Sequence, residues 1–89
     1  MKITLELFGA SRDLSNSDHL EIEVQDKASI DDLRNEVIKY IDKNFQGNEN
    51  FIKVIKSSAF CSENNEIISD NYKITKDQKI GIIPPIGGG

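Results

Sequence analysis

Ser29-Ile30-Asp31-Asp32-Leu33-Arg34-Asn35-Glu36-Val37-Ile38-Lys39-Tyr40-Ile41-Asp42-Lys43-Asn44-Phe45 is the stretch of this 89-residue chain where the apolar period changes to that of a helix. Ile30, Leu33, Val37, Ile38, Ile41 and Phe45 recur at helical spacing, while Arg34, Asn35, Glu36, Lys39, Asp42 and Lys43 take the other faces. Ser29 is placed to cap the N-terminus, with Asp31 and Asp32 in the first turn where the helix dipole favours carboxylates. Asp32, three residues after Ser29, gives a weaker form of the capping box, because Glu or Gln is preferred there. Gln46-Gly47-Asn48-Glu49-Asn50 ends the helix, with Gly47 near the C-cap. A helix with one apolar stripe has to lie across something flat and apolar.

The flanking segments supply it. Residues 2–8 alternate, with Ile3, Leu5 and Leu7 on one face and Thr4, Glu6 and Phe8 on the other. Residues 19–25 alternate again, with Leu20, Ile22 and Val24 inward. The turn-rich loop between them, Gly9 to Ser17 with one helical turn around Arg12, makes the two strands an antiparallel hairpin. After the helix, Phe51-Ile52-Lys53-Val54-Ile55-Lys56 reads as a short strand or part of the crossover. Residues 58–62 read as a strand, 63–65 as a turn and 66–69 as its return. Tyr72 and Ile74 are expected as pegs into the core. The last strand, residues 78–83, directs Ile80 and Ile82 toward the helix and Gly81 and Ile83 away from it. One main helix on one face of a mixed four- to five-stranded sheet is an α+β arrangement, in which the last strand can pair beside the first. The chain divides into a body, residues 1–83, and an extended tail, residues 84–89.

Composition narrows the functional classes. The net charge is −4, and no basic cluster is present to neutralise phosphates, so neither nucleic acid nor a membrane surface is an expected partner. The N-terminus carries charge inside what would have to be an apolar run, so it is not read as a signal peptide, and no window reaches the length of a membrane span. Cys61 is the only cysteine, which excludes an intramolecular disulfide and fits a reducing, cytoplasmic setting.

Sites for chemistry in the body are few. His19, the single histidine, reads as a partly exposed strand residue without a partner evident in the sequence. Cys61 reads as a small buried hydrophobe in a strand. A zinc site needs three or four His or Cys ligands and one of each is available, so no metal is expected. An enzyme in its own right is not expected. Phe8 and Ile83 point away from the helix, and Ile67 or Ile68 adds a third apolar residue to that open face, which marks a partner surface unless a loop covers it.

The end of the chain is Ile82-Ile83-Pro84-Pro85-Ile86-Gly87-Gly88-Gly89. Glycines at a terminus are often only a frayed end. Here they follow an apolar strand and a Pro-Pro pair, which favours a stiff extended stem carrying a thin tip. The α-carboxylate of Gly89, ionised at neutral pH, is thereby offered to a partner.

Together with Leu7-Phe8-Gly9-Ala10-Ser11-Arg12-Asp13-Leu14, this terminus resembles the small subunit of molybdopterin synthase, a ubiquitin-like β-grasp sulfur carrier. The family has a Phe-Ala-x-x-Arg-Glu segment and ends in two apolar residues, Pro-Pro-Val, a small residue and Gly-Gly. Ile86 stands for the Val, Gly87 fills the small slot, Asp13 replaces the Glu, and the stretch 46–65 is longer. The resemblance implies a β-grasp fold and a carrier without a bound cofactor. Gly89 would be adenylated with ATP on a ubiquitin-activating-like enzyme and then converted to a thiocarboxylate with sulfur from a persulfide donor. The tail would enter the large subunit, within a heterotetramer, and give its sulfur to the dithiolene of molybdopterin. Pro84, Pro85, Ile86, Gly87 and Gly88 would form the inserting tail, and Phe8, Arg12, Ile67 and Ile83 the docking surface. Catalytic groups would sit on the large subunit. The same terminal chemistry serves sulfur carriers for thiamine or tRNA thiolation and ubiquitin-like modifiers. A non-reactive β-grasp interaction module is the remaining alternative.

Overall fold

The helix expected from Ser29 forms as α1, Ile30–Asn44, in the computed structural model, which describes residues 1–84. Its capping box is complete. The Asp32 amide donates to Ser29 Oγ at 3.1 Å, and the Ser29 amide donates to Asp32 Oδ2 at 3.0 Å. At the other end Gln46 and Gly47 both take positive φ, 57° and 69°, and the Gly47 amide donates to the Ile41 carbonyl at 3.3 Å. Ile30, Leu33, Val37 and Ile41 are fully buried, whereas Ile38 and Phe45 lie at the margin of the stripe and are half-buried.

Under this stripe lies a five-stranded mixed sheet. Strand β1, Lys2–Leu7, pairs antiparallel with β2, His19–Glu23, setting Ile3 opposite Ile22 and Leu5 opposite Leu20. The last long strand, Gln78–Ile83, runs parallel to β1 on its other side, setting Leu5 beside Ile80 and Leu7 beside Ile82. A strand at Ala59–Cys61 continues the sheet antiparallel to that one, and Ile67–Ile68 forms the edge. Two further short strands, Ala28–Ser29 and Lys73–Ile74, form a separate ladder. In chain order the strands after β2 are β3 (Ala28–Ser29), β4 (Ala59–Cys61), β5 (Ile67–Ile68), β6 (Lys73–Ile74) and β7 (Gln78–Ile83), and the large sheet is ordered β2-β1-β7-β4-β5. This is the expected α+β class. Every residue directed toward the helix in β1, β2 and β7 by alternation is buried.

Two expectations fail. The segment Phe51–Lys56 is neither a strand nor a plain crossover but part of a second helix, α2, Glu49–Ser57. Asn48 starts it: its Oδ1 accepts from the Asn50 amide at 3.0 Å and the Phe51 amide at 3.2 Å. A short apolar run fits either period, and here the cap and the packing partner decide. Ile55 is fully buried, and the Phe51 ring meets Phe45 edge-on with centroids 5.1 Å apart. The second failure is Tyr72, which is exposed; its contribution is its carbonyl, which accepts from the Ile30 amide at 3.1 Å and seats the first turn of α1. Ile74 does enter the core.

Between β1 and β2, Gly9–Leu14 winds as a tight 3-10 helix, the turn expected around Arg12. It packs against the ends of β1 and β7 and against α2, which brings it beside the exit of the last strand.

Candidate functional site

Because Glu6 pairs with Gly81, Gly81 with Cys61 and Cys61 with Ile67, these four residues form one row across the sheet, directed away from the helices. Ile83 and Ala59 face each other one step further along β7, toward the end of the strand. Phe8, just beyond β1, keeps an extended backbone, so its side chain continues the outward alternation begun by Thr4 and Glu6. Its ring leans over Gly81, where an added Cβ would lie 3.2 Å from the ring edge.

Apolar side chains gather at one end of this face. Phe8 is 46% exposed and Ile83 39%, and both stand at the end of the sheet where β7 stops. Ile67 is 66% exposed on the edge strand and is joined to them through Cys61 and Gly81 rather than by direct adjacency. Of the two isoleucines the sequence left open, Ile67 faces outward and Ile68 packs against the core. Arg12 is exposed in the 3-10 turn beside this end of the sheet. Pro84 follows β7 directly and lies against the same turn, its Cγ 3.8 Å from where a Gly9 Cβ would stand. Gly9 has φ +54°, a conformation that favours glycine on its own account. Pro85, Ile86, Gly87, Gly88 and Gly89, which carry the expected reactive tail, lie outside the described residues.

Two residues given no part in this surface by the sequence reading lie at its base. Ser11, counted only as a turn former, is buried; its Oγ donates to the Phe8 carbonyl at 2.7 Å and accepts from the Phe8 amide at 3.0 Å. Cys61 is buried as expected, but on the outer face against Gly81, where an added Cβ would meet both its sulfur and the Phe8 ring edge. The alternation of residues 58–62 carried that information, since Phe60 inward requires Cys61 outward.

Charge borders the apolar strip on the side away from the tail. Lys79 Nζ lies 2.7 Å from Glu6 Oε1, and this hydrogen bond, reinforced by the carboxylate's charge, holds the Lys79 amine above the usual lysine range. A depression of about 230 Å³ lies between this pair, Cys61 and Phe8. His19 starts β2 in an exposed position, and its Nδ1, 3.3 Å from Asp18 Oδ1, lowers the Asp18 carboxyl pKa. Among the described residues no cluster of His, Cys, Asp and Glu could hold a metal ion, and no helix is long and apolar enough to cross a membrane. A larger groove, about 630 Å³, runs between the β2–β3 connection and α1, at the opposite end of the sheet from Phe8.

Known structures share this architecture. SAMP1 from Haloferax volcanii superposes with a TM-score of 0.67 at 14% identity, over 100% of both chains. A Pyrococcus furiosus protein assigned as molybdopterin converting factor subunit 1 gives 0.69 at 23% identity, over 96% of this chain and 98% of that one. The ubiquitin of Caldiarchaeum subterraneum gives 0.61 at 17% identity, over 100% and 98%. At these identities the likeness establishes a ubiquitin-like fold. No curated protein sequence matches. The model of the ThiS family matches residues 5–89, nearly the whole length. The chain belongs to the ThiS family and has the ubiquitin-like fold of its small sulfur carriers.

Proposed function

We propose that this chain carries sulfur on the carboxylate of Gly89 for dithiolene formation in molybdopterin biosynthesis. The observation that carries the reading is the sequence Ile82-Ile83-Pro84-Pro85-Ile86-Gly87-Gly88-Gly89, which continues a central strand out of a ThiS-family fold beside an exposed apolar strip. Body and tail divide at residues 83 and 84, and docking of the strip (Phe8, Ile67, Ile83, with Arg12 at its border) aims the tail at a partner's active site. The likeness to the Pyrococcus furiosus protein supports the molybdopterin branch.

The chemistry follows from the carboxylate. On an adenylating enzyme Gly89 attacks the α-phosphate of ATP, pyrophosphate leaves, and the acyl-adenylate is activated toward nucleophiles. A persulfide's terminal sulfur attacks the acyl carbon, AMP departs, and thiol cleavage of the S–S bond leaves the thiocarboxylate. The large subunit of molybdopterin synthase then takes the sulfur for the pterin precursor. Three glycines without Cβ atoms make a thin tip for a narrow channel, and Pro84-Pro85 limits the ordering entropy lost on insertion.

The first test is intact mass after incubation with the adenylating enzyme, ATP and a sulfur donor. The expected result is a gain equal to one oxygen-to-sulfur exchange at Gly89, abolished by deleting Gly89 or appending one residue. An unchanged mass, or normal transfer by either variant, excludes Gly89 as the carrier atom set. A second reading, a ubiquitin-like modifier, draws on the same Gly-Gly end and on the likeness to SAMP1 and ubiquitin. It predicts isopeptide adducts on lysines, whereas the first reading predicts transfer to a molybdopterin precursor.

A further inference from the structure

Gly81 sits in the middle of β7 between two buried isoleucines, where a β-branched residue would suit the strand better. Its backbone does not require glycine, since its φ is outside the left-handed region. Space requires it. An added Cβ would lie 2.7 Å from Cys61 Sγ, closer than packed atoms approach, and 3.2 Å from Phe8 Cε2. Cys61 is only 6% exposed, and the space open to its side chain is the depression it shares with Glu6 and Lys79. The absent side chain therefore leaves a space that the Phe8 ring edge and the Cys61 sulfur both border.

Phe8 is held from two sides. Ser11 Oγ fixes its backbone through both amide and carbonyl, and Gly81 with Cys61 supports one edge of its ring. Even so, nearly half of the side chain remains exposed, level with Ile83 where the tail begins. A ring packed on one side and bare on the other is preorganised for contact, because little rotamer freedom is left to lose when a partner covers it.

We infer that Gly81 is a positioning residue: with Cys61 it forms a seat that fixes the Phe8 ring for docking of a partner protein. The docking half of this inference rests on the carrier reading above, while the seat itself can be read without any partner. Gly81 touches no substrate in this scheme and acts only through Phe8.

A double-mutant cycle separates this role from a structural one. Binding to the cognate large subunit is measured for the wild type, Phe8→Ala, Gly81→Ala and the double variant. Phe8→Ala is expected to weaken binding by about tenfold or more and Gly81→Ala by about threefold or more. In the Phe8→Ala background, Gly81→Ala is expected to add nothing. Equal losses from Gly81→Ala in both backgrounds, or no loss in either, overturn the inference. Should Gly81→Ala fold poorly, Gly81→Ala/Cys61→Ala removes the 2.7 Å conflict and is expected to recover folding while binding stays weakened, because the added Cβ still crowds the Phe8 ring edge and the sulfur is gone. Wild-type binding by that folded pair overturns the seat. In the free protein, the Gly81 α-protons are expected to show an NMR ring-current shift that disappears in Phe8→Ala. If that shift is absent the seat is wrong. If it is present but the wild type binds no large subunit, the seat stands and the docking reading fails.

Discussion

The inner and outer faces of the sheet are made from the same strands, one residue out of step, yet they follow different rules. Inward, Ile3, Leu5, Leu7, Ile80 and Ile82 are sealed under α1 with 2% exposure or less. Outward, the same strands present Glu6 and Lys79 as an ion pair, Gly81 as a gap, and Phe8 and Ile83 partly exposed. The inner face needs volume and apolarity, which many residues supply. The outer face combines charge, a gap and exposed aromatic surface, a combination that the stability of the body does not require. On this comparison, substitutions inside should lower stability, and substitutions outside should lower binding.

The largest effect should come from truncation inside. Leu5→Ala is expected to lose about 2–5 kcal/mol in urea denaturation, the usual range for a fully buried leucine. Phe8→Glu or Ile83→Glu should leave the melting temperature nearly unchanged while weakening partner affinity. Equal destabilisation from the two faces, or intact affinity after Phe8→Glu, would break the comparison.

A smaller effect tests the helix that covers the inner face. Ser29→Ala removes the acceptor for the Asp32 amide and should cost about 1 kcal/mol. The Asp32 carboxyl is held below the ordinary carboxylate range by hydrogen bonds from Ser29. Its contribution to stability is therefore complete above its ordinary pKa of 3.8 and is lost as pH falls through the lowered folded value. Thermal melts taken down through the carboxylate range should show a shallower acid limb in Ser29→Ala than in the wild type.

The smallest effect belongs to the outer charge pair. Lys79 is raised above its ordinary value of 10.5 by Glu6, so its contribution is complete below that pH and lost as pH rises through the folded value. The pair is solvent-exposed and screened, so Glu6→Gln should lower the melting temperature only slightly at neutral pH. The difference from the wild type should fade as pH rises through the folded Lys79 value, which leaves the variant a flatter alkaline limb. A clear change at neutral pH would mean that the outer face also carries stability.

Much of the fold was legible because its signals are local. Ser29, the two aspartates and the Ile30–Ile41 stripe define α1 without help from the rest of the chain, and strict alternation defines β1, β2 and β7. The second helix was not legible, since Phe51, Ile52 and Ile55 fit a short strand as well as a helix. Asn48 as cap, a local signal left unread, and the Phe45 ring as packing neighbour settle the matter. Tyr72 failed for a related reason: its segment is tied to α1 through a backbone carbonyl, a group with no sequence signature. Of the candidate surface, the outward direction of Phe8 and Ile83 was readable from alternation. The Ser11 lock on Phe8 was not, because a serine in a turn-rich loop has many possible partners.

Arg34 shows the same boundary inside the helical layer. By periodicity it belongs on a polar face, but its guanidinium lies 5.0 Å over the Phe60 ring and donates to the Ser58 carbonyl and the Asp70 carboxylate. The sequence by itself determined the element types with strong periodicity and the inward and outward sets of the long strands. Tertiary structure alone decided which outward residues meet: that Phe8 rests over Gly81, that the Cys61 sulfur borders the same gap, and that Pro84 leaves β7 against Gly9. The reason is range. Periodicity and capping act over a few residues, whereas the meeting of positions 8, 61 and 81 depends on strand register set by the whole sheet.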